Sequence, residues 1–214
     1  MNSCLMFKKA FRSFLLILSV ICVCISFCSC KSESVYRIDS MNWISNEGAS
    51  IITEYTYTSD NKPESISVTY PSGFMENYQD VFTYNKKGDM VSCERTYLGT
   101  HNEVYTAKKI TDNKYILYDA SSAEFLTLIF DDSGFIVSYR YAIGHTTEYS
   151  FTYDKSGKPL AFKQLDIHPS GSRRIVDYTV EFTEKDTFRM YATGEYENPD
   201  EYYEVKYQKI SLKG

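Results

Sequence analysis

An all-β fold is expected: an up-and-down antiparallel meander of about 12 strands closed or curled into a barrel, with a flattened two-layer β-sandwich as the alternative. Residue usage is one reason. Tyr (20) and Phe (13) are abundant in a chain of 214 residues. Thr, Ser, Val and Ile fill the intervals, the side chains that suit a pleated, half-buried surface. Period is another. Val176, Tyr178, Val180 and Phe182 alternate with Asp177, Thr179 and Glu181. Tyr149, Phe151 and Tyr153 alternate with Glu148, Ser150 and Thr152, and Ile66, Val68 and Tyr70 with Ser65, Ser67 and Thr69. One face apolar and aromatic, the other polar, is the mark of a half-buried antiparallel sheet. No long segment carries a 3.6-residue period with caps.

The chain opens with an address. Lys8, Lys9 and Arg12 precede an apolar run from Phe14 to Phe27, followed by small residues and Cys30. That three-part layout is a secretion signal, residues 1–29, to be set aside from the fold. The run holds roughly 14 residues, against the ~20 that span a bilayer. Its end, "FCSC", resembles a bacterial lipobox, with Ser29 before Cys30 and Phe27 where Leu is usual. The resemblance implies cleavage before Cys30 and its lipidation. Cys24 and Cys28 fit worse, because bulky Val23 and Phe27 precede them. Residues 30–34 then read as the lipidated cysteine and a short tether, and 35–214 as one β-meander domain.

Five of the six cysteines (Cys4, Cys22, Cys24, Cys28, Cys30) lie in or beside the signal. Cys93 is the thiol left over, so no disulfide framework, cysteine zinc site or CxxC pair is available. Removing residues 1–29 leaves 20 Lys+Arg against 28 Asp+Glu, a formal charge of −8. That balance disfavours nucleic acid as a partner. The membrane is reached through the lipid.

The third reason for a meander is a repeat. "YTSDNKPESI" starts at Tyr57, "YNKKGDMVS" at Tyr84, "FDDSGFIVSY" at Phe130 and "YDKSGKPLAF" at Tyr153, with degenerate copies at Ile110 and Phe182. Starts are 27, 26, 20, 23 and 29 residues apart, room for one hairpin each. The aromatic closes a strand, and Asp, Asn or Thr next bonds its own backbone and starts the turn. Gly88, Gly134 and Gly157 supply the positive φ, with Asn61, Asn113 and Asp186 expected in that role elsewhere. An apolar residue two places on returns to the core.

These copies resemble the YD repeats of RHS-type bacterial surface proteins, Tyr-Asp-x-x-Gly-(Lys/Arg)-(Leu/Val), with "YDKSGKPL" (Tyr153 to Leu160) the best match. Lipobox plus about six degenerate hairpins looks like the small lipoproteins of Gram-negative anaerobes with a porin-like β-meander and no assigned function. The resemblance implies a fold and an outer-membrane address, on the periplasmic or the surface face, and carries over no catalytic residue. An integral membrane barrel is disfavoured. The apolar face is rich in Tyr rather than Leu and Val, and Gln164 and Asp166 fall on the face expected to carry Leu160 and Phe162.

Candidate sites are few. His101, His145 and His168 all fall in connections opposite the YD turns, where they are weak candidates for a metal. The acids of the YD rim, Asp60, Asp112, Asp131, Asp132, Asp154, Glu184 and Asp186, have oxygen ligands suited to calcium but no DxDxDG spacing, and turn formation explains them. No metal and no cofactor is expected. Tyr202, Tyr203 and Tyr141 are weak candidates for stacking on a glycan, with one of the Tyr202–Tyr203 pair outward. No nucleophile elbow, Cys/His pair, phosphate loop or dinucleotide fingerprint occurs. The expectation is a non-catalytic envelope protein that binds an envelope protein, a glycan or a small apolar molecule, or is purely structural. A lined cavity inside the barrel would favour a carrier of an apolar small molecule or lipid.

Overall fold

The computed structural model describes residues 34–211 apart from Glu47, Phe74, Ser156 and Gly157. The signal, Cys30 and the positive φ expected at Gly157 lie outside the described residues. Fourteen strands are described: β1 (Ser34–Ser45), β2 (Gly48–Tyr57), β3 (Pro63–Thr69), β4 (Tyr78–Tyr84), β5 (Met90–Tyr97), β6 (Asn102–Thr111) and β7 (Lys114–Tyr118), then β8 (Glu124–Phe130), β9 (Ile136–Tyr141), β10 (Thr146–Tyr153), β11 (Pro159–Ile167), β12 (Arg173–Glu184), β13 (Thr187–Ala192) and β14 (Tyr202–Ser211). Each strand lies beside its chain neighbours and β1 lies beside β14, so the sheet closes into a barrel. At that seam the Tyr36 and Tyr207 rings are 4.9 Å apart and Gln208 Nε2 donates to Asp39 Oδ1 at 3.0 Å.

The six expected hairpins are β2–β3, β4–β5, β6–β7, β8–β9, β10–β11 and β12–β13, and their turns form one rim. The count of about 12 strands is corrected to 14: β1 and β14, outside the repeat, close the ring. Turn chemistry follows the repeat. Asn85 Oδ1 accepts from Lys87 N (2.8 Å) and Asp89 N (3.1 Å). Asp131 Oδ1 accepts from Ser133 N (2.9 Å) and Phe135 N (3.0 Å), and Asp154 Oδ1 from Lys158 N (3.0 Å). The bonds to Lys87 and Ser133, two residues on, make Asx turns at Asn85 and Asp131. Asn61 has φ 61, as a glycine substitute should, but Asn113 and Asp186 stay out of the left-handed region. In their hairpins the turn is two residues long and a bulge in the preceding strand, at Ile110 and Thr183, takes up the geometry.

A register shift sits beside every one of the six turns. The skipped residue reverses the in–out alternation. Leu160, expected on the face of Phe162, is such a residue; it is 54% exposed, while Pro159 and Phe162 are buried. Val91, two residues before Cys93 and so on its face by simple alternation, points out for the same reason. In five of the six hairpins the position two after the turn residue returns to the core, with Pro63, Met90, Tyr115, Pro159 and Phe188 buried; after Gly134 it is Phe135 that is buried and Ile136 only half so.

Aromatic side chains fill the interior as two clusters. One gathers Phe82, Tyr105, Tyr115 and Phe130 from β4–β8; the other gathers Phe135, Phe162, Phe188 and Tyr207 with β1 and β11–β14. The clusters meet because opposite walls approach. Tyr55 of β2 and Phe135 of the β8–β9 turn, half a ring apart, pack edge to face at 5.6 Å. At the YD rim Gly134 lies against the opposite turn, where a Cβ would sit 2.5 Å from Asn61 O and 3.3 Å from the Tyr57 ring. Arg37 clips this junction, donating to Asn61 Oδ1 at 3.0 Å with its guanidinium 4.4 Å from the Tyr57 ring. The outer wall is the reverse of the inside: Glu94, Lys108, Glu148, Lys163, Asp177 and Glu181 are exposed on it, and Lys163 pairs with Asp177 at 3.1 Å. Lipid-facing barrel walls are apolar across the strands, and this one is not.

Two glycines separate backbone strain from close packing. Gly171 (φ +83) has nothing within 4 Å, so Gly171→Ala is expected to cost about 1 kcal/mol for the left-handed conformation alone. Gly134→Ala (φ +84) must also force the two rim turns apart and is expected to cost about 2–3 kcal/mol. Urea unfolding of the two variants measures the difference, and equal losses would show that the rims are not locked.

Candidate functional site

Seven connections form the rim opposite the YD turns. Behind it, flattening leaves a chamber of about 300 Å³ lined from both walls, with Trp43 and His145 at its outer end and Ile66, Leu126 and Leu128 among its apolar lining. Its polar groups are mainly tyrosine hydroxyls, with Thr53, His145 and one ion pair. Asp80 of β4 and Arg95 of β5 are register partners with inward side chains, 11% and 8% exposed. Arg95 Nε and Nη2 donate to Asp80 Oδ1 and Oδ2, both at 2.7 Å. The guanidinium lies 4.4 Å from the Tyr78 ring centroid. Burial pulls the Arg95 pKa down, but the hydrogen bonds and charge of Asp80 outweigh it and hold the group well above its ordinary value. Both charges are thus matched within the wall.

Tyr55, Tyr139, Tyr149 and Tyr203 converge on the same space. Burial, then the neighbouring Tyr139 phenol, pushes Tyr55 above its usual range, and the same two causes raise Tyr149. Burial, then Tyr178, raises Tyr203. The Tyr55, Tyr149 and Tyr203 phenols stay protonated at neutral pH, each a donor and an acceptor without charge. A chamber with apolar walls, uncharged hydroxyls and a neutralised ion pair suits an uncharged guest.

Beside it lies a second space of about 270 Å³, between the β1–β2 end and β11–β14. Trp43, Ile51 and Tyr203 line both spaces, so the two adjoin along those side chains. The YD rim carries a cleft of about 360 Å³, where Lys109 bonds Asp89 at 2.7 Å and Asp112 at 2.8 Å. Asp60, Lys62, Lys87, Asp131 and Asp132 also line it.

Of the residues singled out in the sequence, Tyr141 lines the chamber, 6.5 Å from the His145 ring. Tyr203 points inward, 5.6 Å from Tyr178, and Tyr202 is half-buried at the barrel mouth, 5.5 Å from Tyr191 with the Arg189 guanidinium 4.6 Å away. Neither of that pair is freely exposed. His145 and His168 come together, ring centroids 5.4 Å apart. His101 stands elsewhere, stacked on Tyr97 at 4.6 Å. Among the described residues no group of three or more His, Cys, Asp or Glu is arranged to hold a metal ion. Cys93 is buried at 2% exposure, and burial pushes its thiol far above the ordinary range.

Sequence reasoning missed Trp43, Asp80, Arg95 and Arg174. Asp80 sits two residues before Phe82 and Arg95 two after Cys93, so each is a charge on an apolar strand face. Two such residues of opposite sign on consecutive strands were the available signal.

No protein-family model matches the chain, and no curated protein does. Among solved structures it is similar to a porin-like protein from Bacteroides uniformis, determined at 2.32 Å, with 13% identity and a TM-score of 0.33. The match covers 78% of this chain and spans 59% of that one. The barrel assignment rests on the strand pairing, independently of this likeness.

Arg95→Met strands the Asp80 carboxylate in the wall and is expected to cost about 3–5 kcal/mol in urea unfolding. The double variant Asp80→Leu/Arg95→Met removes both charges and should recover most of that loss. A double variant as unstable as the single one would show that the pair serves packing and not charge matching.

Proposed function

We propose that this chain is an exported, lipid-anchored envelope protein with a non-catalytic role, and that its barrel binds a small, uncharged, largely apolar molecule. The chamber carries the binding half of this reading. At about 300 Å³ it lies at the lower end of small-molecule sites, and its mix of apolar wall and a few fixed hydroxyls is what such sites use. Its size favours a compact guest over a two-chain lipid. The lack of any nucleophile–base pair in the sequence motifs supports binding over catalysis. The signal layout and Cys30 support the anchor, as does the resemblance to YD-repeat lipoproteins. A charged outer wall supports attachment by acyl chains in preference to insertion of the strands.

Trp43 is the chain's single tryptophan and lines the chamber, so its fluorescence reports occupancy. Titrating the purified full chain with 1-octanol is expected to give a saturable change in Trp43 emission. Val68→Phe, which fills the chamber, should abolish it; a non-saturating response shared by both proteins would sink the carrier reading. The anchor is tested separately: cells fed a labelled fatty acid should label the wild-type chain and leave Cys30→Ala unlabelled.

A further inference from the structure

The second space has a chemistry different from the chamber it adjoins. Its rings are Tyr178, Tyr196, Tyr202 and Tyr203 with Trp43, and its polar groups are Gln164, Arg174 and Glu201. Gln164 Nε2 donates to Asp166 Oδ2 at 2.9 Å, which fixes the amide so that the carboxylate is served. Thr147 Oγ1 serves the other oxygen, Asp166 Oδ1, at 2.8 Å. Gln164 Oε1 is left buried with no hydrogen-bond partner. A buried acceptor without a donor costs free energy; Gln164 lines the cavity, so a small shift of its amide on guest binding brings Oε1 to a donor there and relieves that cost. Arg174 stacks on Tyr196 at 4.7 Å and offers donors to the same space, and Glu201 adds an acceptor.

A guest that must give and take hydrogen bonds, carry no net charge between Arg174 and Glu201, and lay an apolar face on phenol rings is a hydroxylated ring. Each hydroxyl of a sugar is both donor and acceptor, and the C–H face of the ring packs on aromatic faces. Because the apolar chamber begins where this pocket ends, along Trp43, Ile51 and Tyr203, one molecule can occupy both. We infer that the ligand is a small neutral amphiphile with a sugar head and a compact apolar tail. The head is held by Gln164, Arg174 and Glu201 among the mouth tyrosines, and the tail enters the chamber. This rests on the carrier reading and adds to it the identity of the head and the use of the second space.

Octyl β-D-glucoside below its micelle concentration is the probe, with 1-octanol and methyl β-D-glucoside as its two halves and Trp43 emission as the readout. The glucoside is expected to bind about tenfold tighter than octanol, the worth of one or two hydrogen bonds. Gln164→Leu and Arg174→Met, each checked for wild-type thermal unfolding, should level the two affinities without weakening octanol. If one variant fails to fold, the other and Glu201→Gln carry the comparison. Equal binding of octanol and glucoside to the wild type would overturn the sugar head and leave the carrier reading standing. Saturable binding of methyl glucoside with none of octanol would overturn the carrier reading and the amphiphile with it.

Discussion

A ring of fourteen strands encloses more space than inward side chains can reach across, and the rest of this structure depends on how that space is closed. The solution is contact between opposite walls. Tyr55 on Phe135 joins them within the barrel, and Gly134 on Asn61 joins them at the rim. Glycine is required at that rim because the opposite backbone occupies the volume a side chain would need. Large aromatic rings are required inside because two walls bending towards each other still leave gaps that Val or Leu would not bridge. A high Tyr and Phe content is thus the packing material of a wide barrel that collapses on itself.

The same collapse decides where function can reside. It brings the YD turns together at Gly134 and Asn61, leaving a charged cleft among them, and the tyrosine-lined spaces lie towards the other end. Tyrosine does two jobs there. Its ring belongs to the core, and its hydroxyl, kept protonated by burial, gives the remaining space a polar character without charge. The buried Asp80–Arg95 ion pair is closed on itself in the wall between β4 and β5. On the proposed reading, a guest is held by shape and hydrogen bonds, with the outer wall's charges pointing away from it.

Much of the fold was legible because a meander is a local topology. The aromatic–Asx–glycine frame marked all six hairpins of one rim, and the Asx hydrogen bonds at Asn85, Asp131 and Asp154 are those the residue types require. One further copy escaped notice. "YDASSAEF" from Tyr118 makes the same turn on the opposite rim, with Asp119 accepting from Ser121 N and Ala123 N and Ser122 at φ 66 where glycine is usual. Face assignments failed at Leu160 and Val91 because a bulge breaks period 2 without altering composition. The site was less legible for a deeper reason. The chamber gathers residues from β1 to β5, β8 to β10 and β14, and their convergence is a product of wall collapse, which depends on the whole ring. Gln164 was noticed in the sequence as a polar residue on an apolar face; that it lines a cavity needed the third dimension.

The seam between β1 and β14 sets this protein apart from an open sheet. Every other pairing joins chain neighbours, whereas Gln208 and Asp39 bond across 169 residues. Closing a loop of that length costs about 2.5 kcal/mol more chain entropy than closing a ten-residue one. Hairpins can therefore zip in any order as the chain emerges, and the seam is favourable only once the walls between have formed. Cyclisation is the committing event. A chain still waiting for it presents two unpaired edges, at β1 and at β14, and the cell has to keep those edges from finding other molecules until they find each other.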